Sequence, residues 1–274
     1  MSKVWFVTGS SRGFGRVFVE SALQAGHQVA ATARNVDTLA DLSATYGDAV
    51  LALPLDVTDK SAVDSAVKAA VARFGRLDVV VNNAGYGLFG AVEELSESQI
   101  RDQLETNFFG ALWVTQAVLP QLREQREGHI IQISTIGGIA AFPNLGGYHA
   151  SKWALEGLSE ALAQEVAAFG IKVTLVEPGG FSTDWAGSSA VRTVPNPAYD
   201  SMRQVMAERS KAGSSSAGDP AAAGPALMKI VEAENPPLRV LFGAPPTQLV
   251  KYLYQQRLNT WAQWEDVSIQ AQGG

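Results

Sequence analysis

Cysteine is absent from this 274-residue sequence, and histidine occurs only three times. Without thiols there can be no disulfide, no thiolate metal site and no cysteine nucleophile. The histidines His27, His129 and His149 do not have the spacing of metal ligands, and we interpret His129 and His149 as structural residues. The sequence therefore predicts no metal site.

Long apolar runs and an excess of positive charge are also missing. The apolar run before Thr8 has four residues, which is too short for a signal peptide, and no other run approaches the length of a membrane span. The 21 Lys and Arg residues are outnumbered by 27 Asp and Glu residues, for a net charge of −6. That balance does not favour a nucleic-acid or anionic-membrane partner. We therefore expect a cytoplasmic protein with neither kind of partner.

Predicted strands and helices alternate along the chain. The strands are 3–7, 27–33, 49–55, 77–83, 129–135, 171–178 and 238–243. Four predicted helices end at a glycine directly before a strand, as helix C-caps do, namely at Gly26, Gly47, Gly75 and Gly170. This α/β alternation predicts a Rossmann-type fold, a doubly wound parallel sheet of about seven strands with helices on both faces.

The regular alternation stops at residues 179–220, which are rich in Gly, Ser, Ala and Pro. A long irregular segment inside a compact domain is typical of a functional lid or of disorder, and this one contains a short predicted helix near 200–210. We expect a single dinucleotide-binding and catalytic domain over 1–274, with a substrate lid at about 179–220. A C-terminal extension at about 244–274 either closes the pocket or contacts another subunit.

A glycine-rich segment, TGSSRGFG at residues 8–15, lies between the first strand and the first helix. Gly9, Gly13 and Gly15 allow a tight turn and a close approach of the backbone to a ligand. The helix N-terminus behind them suits a pyrophosphate. This position in an α/β sheet predicts dinucleotide binding, with a merely tight turn as the alternative.

Five further motifs follow in order: LDV at 55–57, NNAG at 82–85, Asn107 in TNFFG, YHASK at 148–152 and PGG at 178–180. With the G-x-x-x-G-x-G spacing of the glycine segment, they resemble the short-chain dehydrogenase/reductase family in its compact single-domain branch, strongly over residues 3 to about 185. The resemblance implies hydride transfer between a nicotinamide cofactor and a carbonyl or alcohol. It also implies a homodimer or homotetramer packed through helices 99–126 and 147–169.

The cofactor preference is predicted from two arginines. Arg34 ends the second strand, where an arginine accommodates the 2′-phosphate of NADP and an acid binds the 2′-hydroxyl of NAD. Arg12, inside the glycine segment, could reach the same phosphate. We predict NADP(H), with two solvated arginines as the alternative and Asp37 permitting some NAD use. By resemblance, the other cofactor-binding residues are Gly9, Ser11, Gly13, Phe14, Gly15, Asp56, Val57, Asn83, Ala84, Gly85, Tyr148, Lys152, Pro178, Gly179 and Thr183.

Two of these contacts have a structural alternative. Asp56 could instead be a helix-start residue, and Thr183 could instead be a loop N-cap.

Tyr148 and Lys152 are four residues apart on a predicted helix and therefore share a face. A neighbouring ammonium group favours the phenolate, so we expect Lys152 to lower the pKa of Tyr148 and to let it act as general acid or base. The alternative is an aromatic residue and a lysine on an ordinary amphipathic helix. By resemblance, Lys152 also holds the nicotinamide ribose, and Asn107 positions a water in a proton relay to Lys152.

Two adjacent hydroxyls, Ser134 and Thr135, end the strand at 129–135. In the family that this chain resembles, the hydroxyl that binds the substrate oxygen lies thirteen residues before the tyrosine, which is Thr135 here. The family usually has serine there, but threonine keeps the hydroxyl donor. Strand alternation predicts that the two side chains lie on opposite faces. The alternatives are that Ser134 takes the role or that neither residue does.

The substrate pocket is predicted by the same resemblance and is mostly apolar. The residues predicted to line this pocket are Tyr86, Leu88, Phe89, Ile136, Phe142, Pro143 and Trp185, with the C-terminal Trp261 and Trp264 as further candidates. This lining favours an apolar or aromatic ketone or aldehyde, or the matching secondary alcohol. An NAD-linked alcohol dehydrogenase and a cofactor-sensing regulatory protein on the same fold are the alternatives.

Overall fold

A seven-stranded parallel sheet forms the centre of the computed structural model, which describes residues 2–213 and 217–273. In chain order its strands are β1 (Val4–Val7), β2 (Gln28–Ala33), β3 (Val50–Pro54), β4 (Val79–Asn82), β6 (Gly128–Ile133), β7 (Ile171–Pro178) and β9 (Arg239–Phe242). Their spatial order is β3-β2-β1-β4-β6-β7-β9. The predicted doubly wound sheet is confirmed, and residues 214–216 of the predicted lid lie outside the described residues.

Helices cover both faces of this sheet. They are α1 (Gly13–Gln24), α2 (Ala40–Tyr46), α3 (Lys60–Phe74), α4 (Glu97–Leu104), α5 (Gly110–Gln125), α6 (Gly146–Val166), α7 (Asp200–Gly213), α8 (Ala223–Glu232), α9 (Ala244–Gln263) and α10 (Glu265–Ala271). A single π-helical turn, Glu105–Phe109, joins α4 to α5 in one long helix. The short helix predicted near 200–210 is confirmed by α7.

Each face of the sheet has its own apolar core, because successive side chains of a strand point to opposite faces. Trp5 of β1 packs into the core under α1, α2 and α8. Its neighbour Phe6 packs into the core under α3, α5 and α6. Both rings are fully buried, which explains why every residue of this strand is apolar.

The order of the sheet reverses at β1, which lies between β2 and β4. In open α/β sheets a crevice forms at this switch point, beyond the carboxyl ends of the strands. The segments that follow β1, β2, β3, β4, β6 and β7 all lead to this edge. The predicted functional motifs are therefore brought together by the topology.

A second, two-stranded sheet was not predicted. It pairs β5 (Leu88–Phe89) in parallel with β8 (Val191–Arg192), which lies within the predicted lid at 179–220. The lid is thus tied to the loop after β4 across about a hundred residues of sequence. Within residues 2–213 and 217–273, no helix is both long and apolar enough to cross a membrane.

Candidate active site

A cavity of about 880 Å³ opens at the carboxyl edge of the sheet and collects most of the predicted site. Its volume is in the range of small-molecule and cofactor sites. The predicted residues that line it are Gly9, Ser11, Arg12, Gly13, Phe14, Arg34, Asp56, Val57, Asn83, Ala84, Gly85, Thr135, Tyr148, Lys152, Pro178, Gly179 and Thr183. Gly15 and Asn107 are not in the lining and support it from behind.

The glycine segment has the backbone that a dinucleotide cradle needs. Gly9 and Gly13 have φ of 67° and 57°, in the left-handed region that favours glycine. A Cβ atom at Gly15 would overlap the carbonyl oxygen of Gly9, so only glycine fits there. The segment leads into the N-terminus of α1, where unpaired N–H groups can receive a phosphate. These residues fit a bound dinucleotide.

Thr8 is a supporting residue that was not predicted. Its hydroxyl accepts hydrogen bonds from the backbone N–H groups of Asn83 at 2.9 Å and Ala84 at 3.0 Å. The Asn83 side chain donates in return to the carbonyl oxygens of Thr8 and Gly9, both at 3.0 Å. These bonds clamp the end of β1 to the end of β4. Thr8 precedes Gly9 directly, and its position at the strand end was the available signal.

The two arginines have different environments. Arg34 is exposed at the edge of the cavity. Arg12 forms an ion pair with Asp184 of the lid at 2.9 Å, and it also donates a hydrogen bond to Ser188 at 3.2 Å. Asp184 and Ser188 were not predicted. Arg12 therefore links the glycine segment to residues 184–188 of the predicted lid.

Asp56 and Thr183 both make local contacts, but only Thr183 matches its structural alternative, because the N-cap of α3 is Asp59. Asp56 accepts hydrogen bonds from the backbone N–H and the hydroxyl of Thr58, at 3.0 and 2.8 Å. Thr183 caps a short helical turn by accepting from the N–H of Trp185 at 3.4 Å. Both residues also line the cavity, so a local hydrogen bond and a cofactor contact are compatible.

Asn107 lies in the π-helical turn and is buried. Its side chain accepts from the N–H of Tyr86 at 3.1 Å and donates to the carbonyl of Tyr86 at 3.0 Å and to Ser151 at 3.2 Å. The amide thus fastens the loop after β4 to α6. π-helical turns within α-helices are frequent at functional sites.

Tyr148 and Lys152 are both buried on α6. Lys152 donates a hydrogen bond from Nζ to the carbonyl of Ile133 at 2.8 Å. Burial lowers the pKa of Lys152 to about 8, and the charge of Glu156 opposes that change. The pKa of Tyr148 is raised by burial, with the adjacent Thr135 hydroxyl opposing the rise. In the protein without cofactor the pKa of Tyr148 is thus displaced in the direction opposite to the predicted one, because desolvation of the buried phenol is the largest cause.

Ser134 and Thr135 are directed to different surroundings, although β6 ends one residue before them. The Thr135 hydroxyl accepts from the N–H of Gly137 at 3.2 Å and donates to the carbonyl of Pro178 at 3.4 Å, beside Tyr148. Ser134 also contributes to the cavity lining, but its hydroxyl is buried next to Gly138 and Glu156. Only Thr135 thus stands beside the phenol.

The apolar part of the cavity differs in detail from the prediction. Tyr86, Ile136, Phe142 and Trp185 line it as expected. The predicted residues that do not line it are Leu88, Phe89, Pro143, Trp261 and Trp264. Lining residues that were not predicted include Leu145, His149, Phe181 and Val191.

Packing explains most of these differences. Leu88 is fully buried in the core, and Phe89 contacts Trp185 from behind, with 5.1 Å between ring centroids. Trp261 and Trp264 are 66% and 62% exposed at the end of α9, away from the cavity. The C-terminal tryptophans therefore do not close the pocket.

The histidines are held by structural hydrogen bonds. Nε2 of His149 accepts from the N–H of Phe142 at 3.1 Å, and Nε2 of His129 lies 2.9 Å from the Thr174 hydroxyl. Burial lowers the pKa of both imidazoles, that of His129 to about 3. His149 nevertheless contributes to the cavity wall beside Tyr148.

A family model described as short chain dehydrogenase matches residues 3–192. The chain is similar to Oxidoreductase BOA17 of Botryotinia fuckeliana, with 41% identity over 271 residues that cover 98% of this chain and 99% of that protein. It is 40% identical over 244 residues to a 3-ketodihydrosphingosine reductase of Bacteroides thetaiotaomicron, covering 88% of each. A crystal structure of a short-chain dehydrogenase from Streptomyces avermitilis matches with a TM-score of 0.90 and 42% identity, over 98% of each chain.

Proposed function

This chain belongs to the short-chain dehydrogenase family, and from that premise we propose that it is an NADP(H)-dependent oxidoreductase acting on a carbonyl or secondary alcohol. The observation that carries the proposal is the position of Tyr148, Lys152 and Thr135 in one cavity with the glycine cradle. A cradle for a dinucleotide and a proton-donating phenol are the two parts that carbonyl reduction requires.

The cofactor supplies the hydride when it is bound. The glycine segment and the start of α1 would hold its pyrophosphate, and Arg34 would pair with its 2′-phosphate. Lys152 would hold the nicotinamide ribose. Arg12 already has a partner in Asp184, so Arg34 is the more readily available cation for the phosphate.

Tyr148 donates a proton to the carbonyl oxygen as the carbonyl carbon is reduced. Because burial raises its pKa, the phenol carries its proton across the neutral range, which suits reduction. Thr135 donates a hydrogen bond to the same oxygen and stabilises the charge that develops on it. Asn107 acts indirectly, by fixing the loop that carries Tyr86.

An apolar or aromatic ketone or aldehyde is the substrate class that the lining supports. Tyr86, Ile136, Phe142 and Trp185 offer apolar and aromatic surface near the phenol. The related Bacteroides protein is named as a reductase of a ketone, 3-ketodihydrosphingosine. That name supports reduction as the direction to test first.

The test is the oxidation of NADPH by the purified protein with a panel of apolar ketones, aldehydes and keto esters. Wild type is compared with Tyr148→Phe, which removes one hydroxyl and keeps the ring. We expect turnover with wild type and almost none with the variant. Equal turnover in both proteins would contradict the role of Tyr148. Turnover with NADH at the same efficiency would favour the NAD-linked alternative.

A further inference from the structure

Two buried carboxylates and one partly buried guanidinium form a cluster near Lys152. Glu156 lies on α6, Glu177 near the end of β7 and Arg239 at the start of β9. Glu156 is 5% exposed and Glu177 is 2% exposed. Nε of Arg239 lies 3.0 Å from a carboxylate oxygen of Glu156 and 3.6 Å from one of Glu177. This cluster is not part of the catalytic cavity.

Negative charge exceeds positive charge in this cluster. Arg239 also pairs with the half-exposed Glu160 at 2.8 Å, so one guanidinium contacts three carboxylates. Burial raises the pKa of Glu156, and burial together with the charge of Glu156 raises the pKa of Glu177 to about 8. Glu156 has the shorter contact with Arg239, and the Ser134 hydroxyl and Arg239 both oppose the rise of its pKa.

Glu156 is connected to the catalytic residues by position. It follows Lys152 by four residues on α6, so the two Cβ atoms are about 5–6 Å apart on one helix face. Lys152 is bonded to the carbonyl of Ile133, and Ser134 comes next in the chain. A Cβ atom at Gly138 would lie 2.5 Å from the Ser134 hydroxyl and 3.0 Å from Oε1 of Glu156.

The charged groups around Lys152 are therefore few. Its own helix carries Tyr148 on one side and Glu156 on the other, and β6 offers it a carbonyl oxygen. Glu156 is faced by Arg239 from β9, Glu177 from β7 and Glu160 from its own helix. The Ser134 hydroxyl also faces Glu156 and opposes the rise of its pKa.

We propose that Glu156 is a positioning residue that keeps Lys152 in its ammonium form, with Arg239 and Glu177 setting the charge of Glu156. A buried ammonium group loses its hydration, and a carboxylate one helical turn away offsets part of that cost. The consequence for catalysis rests on the proposed function, in which Lys152 acts as a cation. The coupling between Glu156 and Lys152 does not depend on it.

The direct test is the titration of Lys152 in the full-length protein without cofactor. The ¹³Cε signal of Lys152 is followed by NMR against pH and is assigned by its loss in Lys152→Arg. Removing the negative charge in Glu156→Gln should make the ammonium lose its proton about one pH unit lower. Glu160→Gln is the matched control, because it removes another partner of Arg239 at a half-exposed position and should leave the titration unchanged.

The second readout is the pH dependence of kcat/KM for carbonyl reduction. The alkaline decline of Glu156→Gln should move to lower pH together with the NMR titration. Glu156→Asp keeps a carboxylate one methylene shorter and should give a smaller displacement in both measurements. If Glu156→Gln does not fold, Glu156→Asp decides the question by itself.

A wild-type titration of Lys152 in the Glu156 variant that folds would overturn the proposal, whatever happens to activity. A displaced titration in a protein that reduces no carbonyl compound would support the coupling and count against the proposed function instead. An equal displacement in Glu160→Gln would also overturn the proposal, since it would show a general effect of disturbing Arg239.

Discussion

The indole ring of Trp185 lies 5.0 Å from the phenol ring of Tyr148, measured between centroids. Trp185 belongs to the lid and Tyr148 to α6, so the lid meets the proposed proton donor directly. A Cβ atom at Gly87 would come within 2.7 Å of the same indole, which shows how closely the loop after β4 packs against it. The space next to the phenol is thus bounded by an aromatic side chain from the lid.

Trp185→Ala should enlarge the substrate space and change selectivity rather than abolish reduction. We expect kcat/KM for a small aryl ketone to fall about tenfold, because one apolar contact contributes about 1–3 kcal/mol. The ratio of kcat/KM for bulkier ketones to that for the small ketone should rise. Steady-state kinetics with a size series of ketones measures this. Trp261→Ala removes an exposed tryptophan and is the control. An unchanged size preference in Trp185→Ala would contradict the assignment.

Arg34→Ala should weaken the binding of NADPH and leave the binding of NADH nearly unchanged. Hydrogen bonds to a charged group contribute about 1.5–3 kcal/mol, so we expect KM for NADPH to rise about tenfold to a hundredfold while KM for NADH changes little. Arg12→Ala should have a smaller effect on this ratio, since Arg12 is paired with Asp184. Arg101→Ala, at a surface ion pair, is the control. Equal losses for NADPH and NADH would argue against a 2′-phosphate contact at Arg34.

Thr135→Ala should lower kcat about a hundredfold or more, as the loss of one donor to a developing oxyanion does in other enzymes. Thr135→Ser should keep most of the activity, because the hydroxyl is retained. Ser134→Ala should have a mild effect, since that hydroxyl is buried beside Glu156 and not beside Tyr148. Comparable losses from both alanine variants would overturn the choice of Thr135.

Glu177→Gln should change how stability depends on pH. The pKa of Glu177 is about 8 in the folded protein and ordinarily 4.5, so the folded state holds a proton that the unfolded state releases. Wild-type stability should therefore lose about 1.4 kcal/mol per pH unit from this group as pH rises from about 4.5 to 8.

The measurement for Glu177 is the free energy of unfolding by denaturant at several pH values below 8. Above pH 8 the lowered pKa of Lys152 contributes with the opposite sign, so that range is avoided. The variant-minus-wild-type difference cancels the contributions of the histidines and should grow in favour of Glu177→Gln as pH rises. Glu160→Gln is the control for a less buried carboxylate. If the difference in unfolding free energy between Glu177→Gln and wild type did not depend on pH, the raised pKa of Glu177 in the folded protein would be contradicted.

Much of the fold and of the candidate site could be predicted from the sequence, because the relevant signals are local. Helix stops such as Gly75 and Gly170 adopt the left-handed backbone that their position before a strand indicated. The four-residue spacing of Tyr148 and Lys152 fixes a common helix face without reference to the rest of the chain. The alternation of strands and helices then brings the strand-end motifs to one edge of the sheet.

Other features were decided only by the tertiary structure. The pairing of β5 with β8 and the contact of Arg12 with Asp184 join segments far apart in sequence, and no local periodicity encodes them. The direction of the pKa change of Tyr148 depended on how fully the ring is buried, which the spacing to Lys152 does not reveal. Local patterns specify backbone conformation and side-chain face, whereas burial and long-range pairing arise only when the elements pack together.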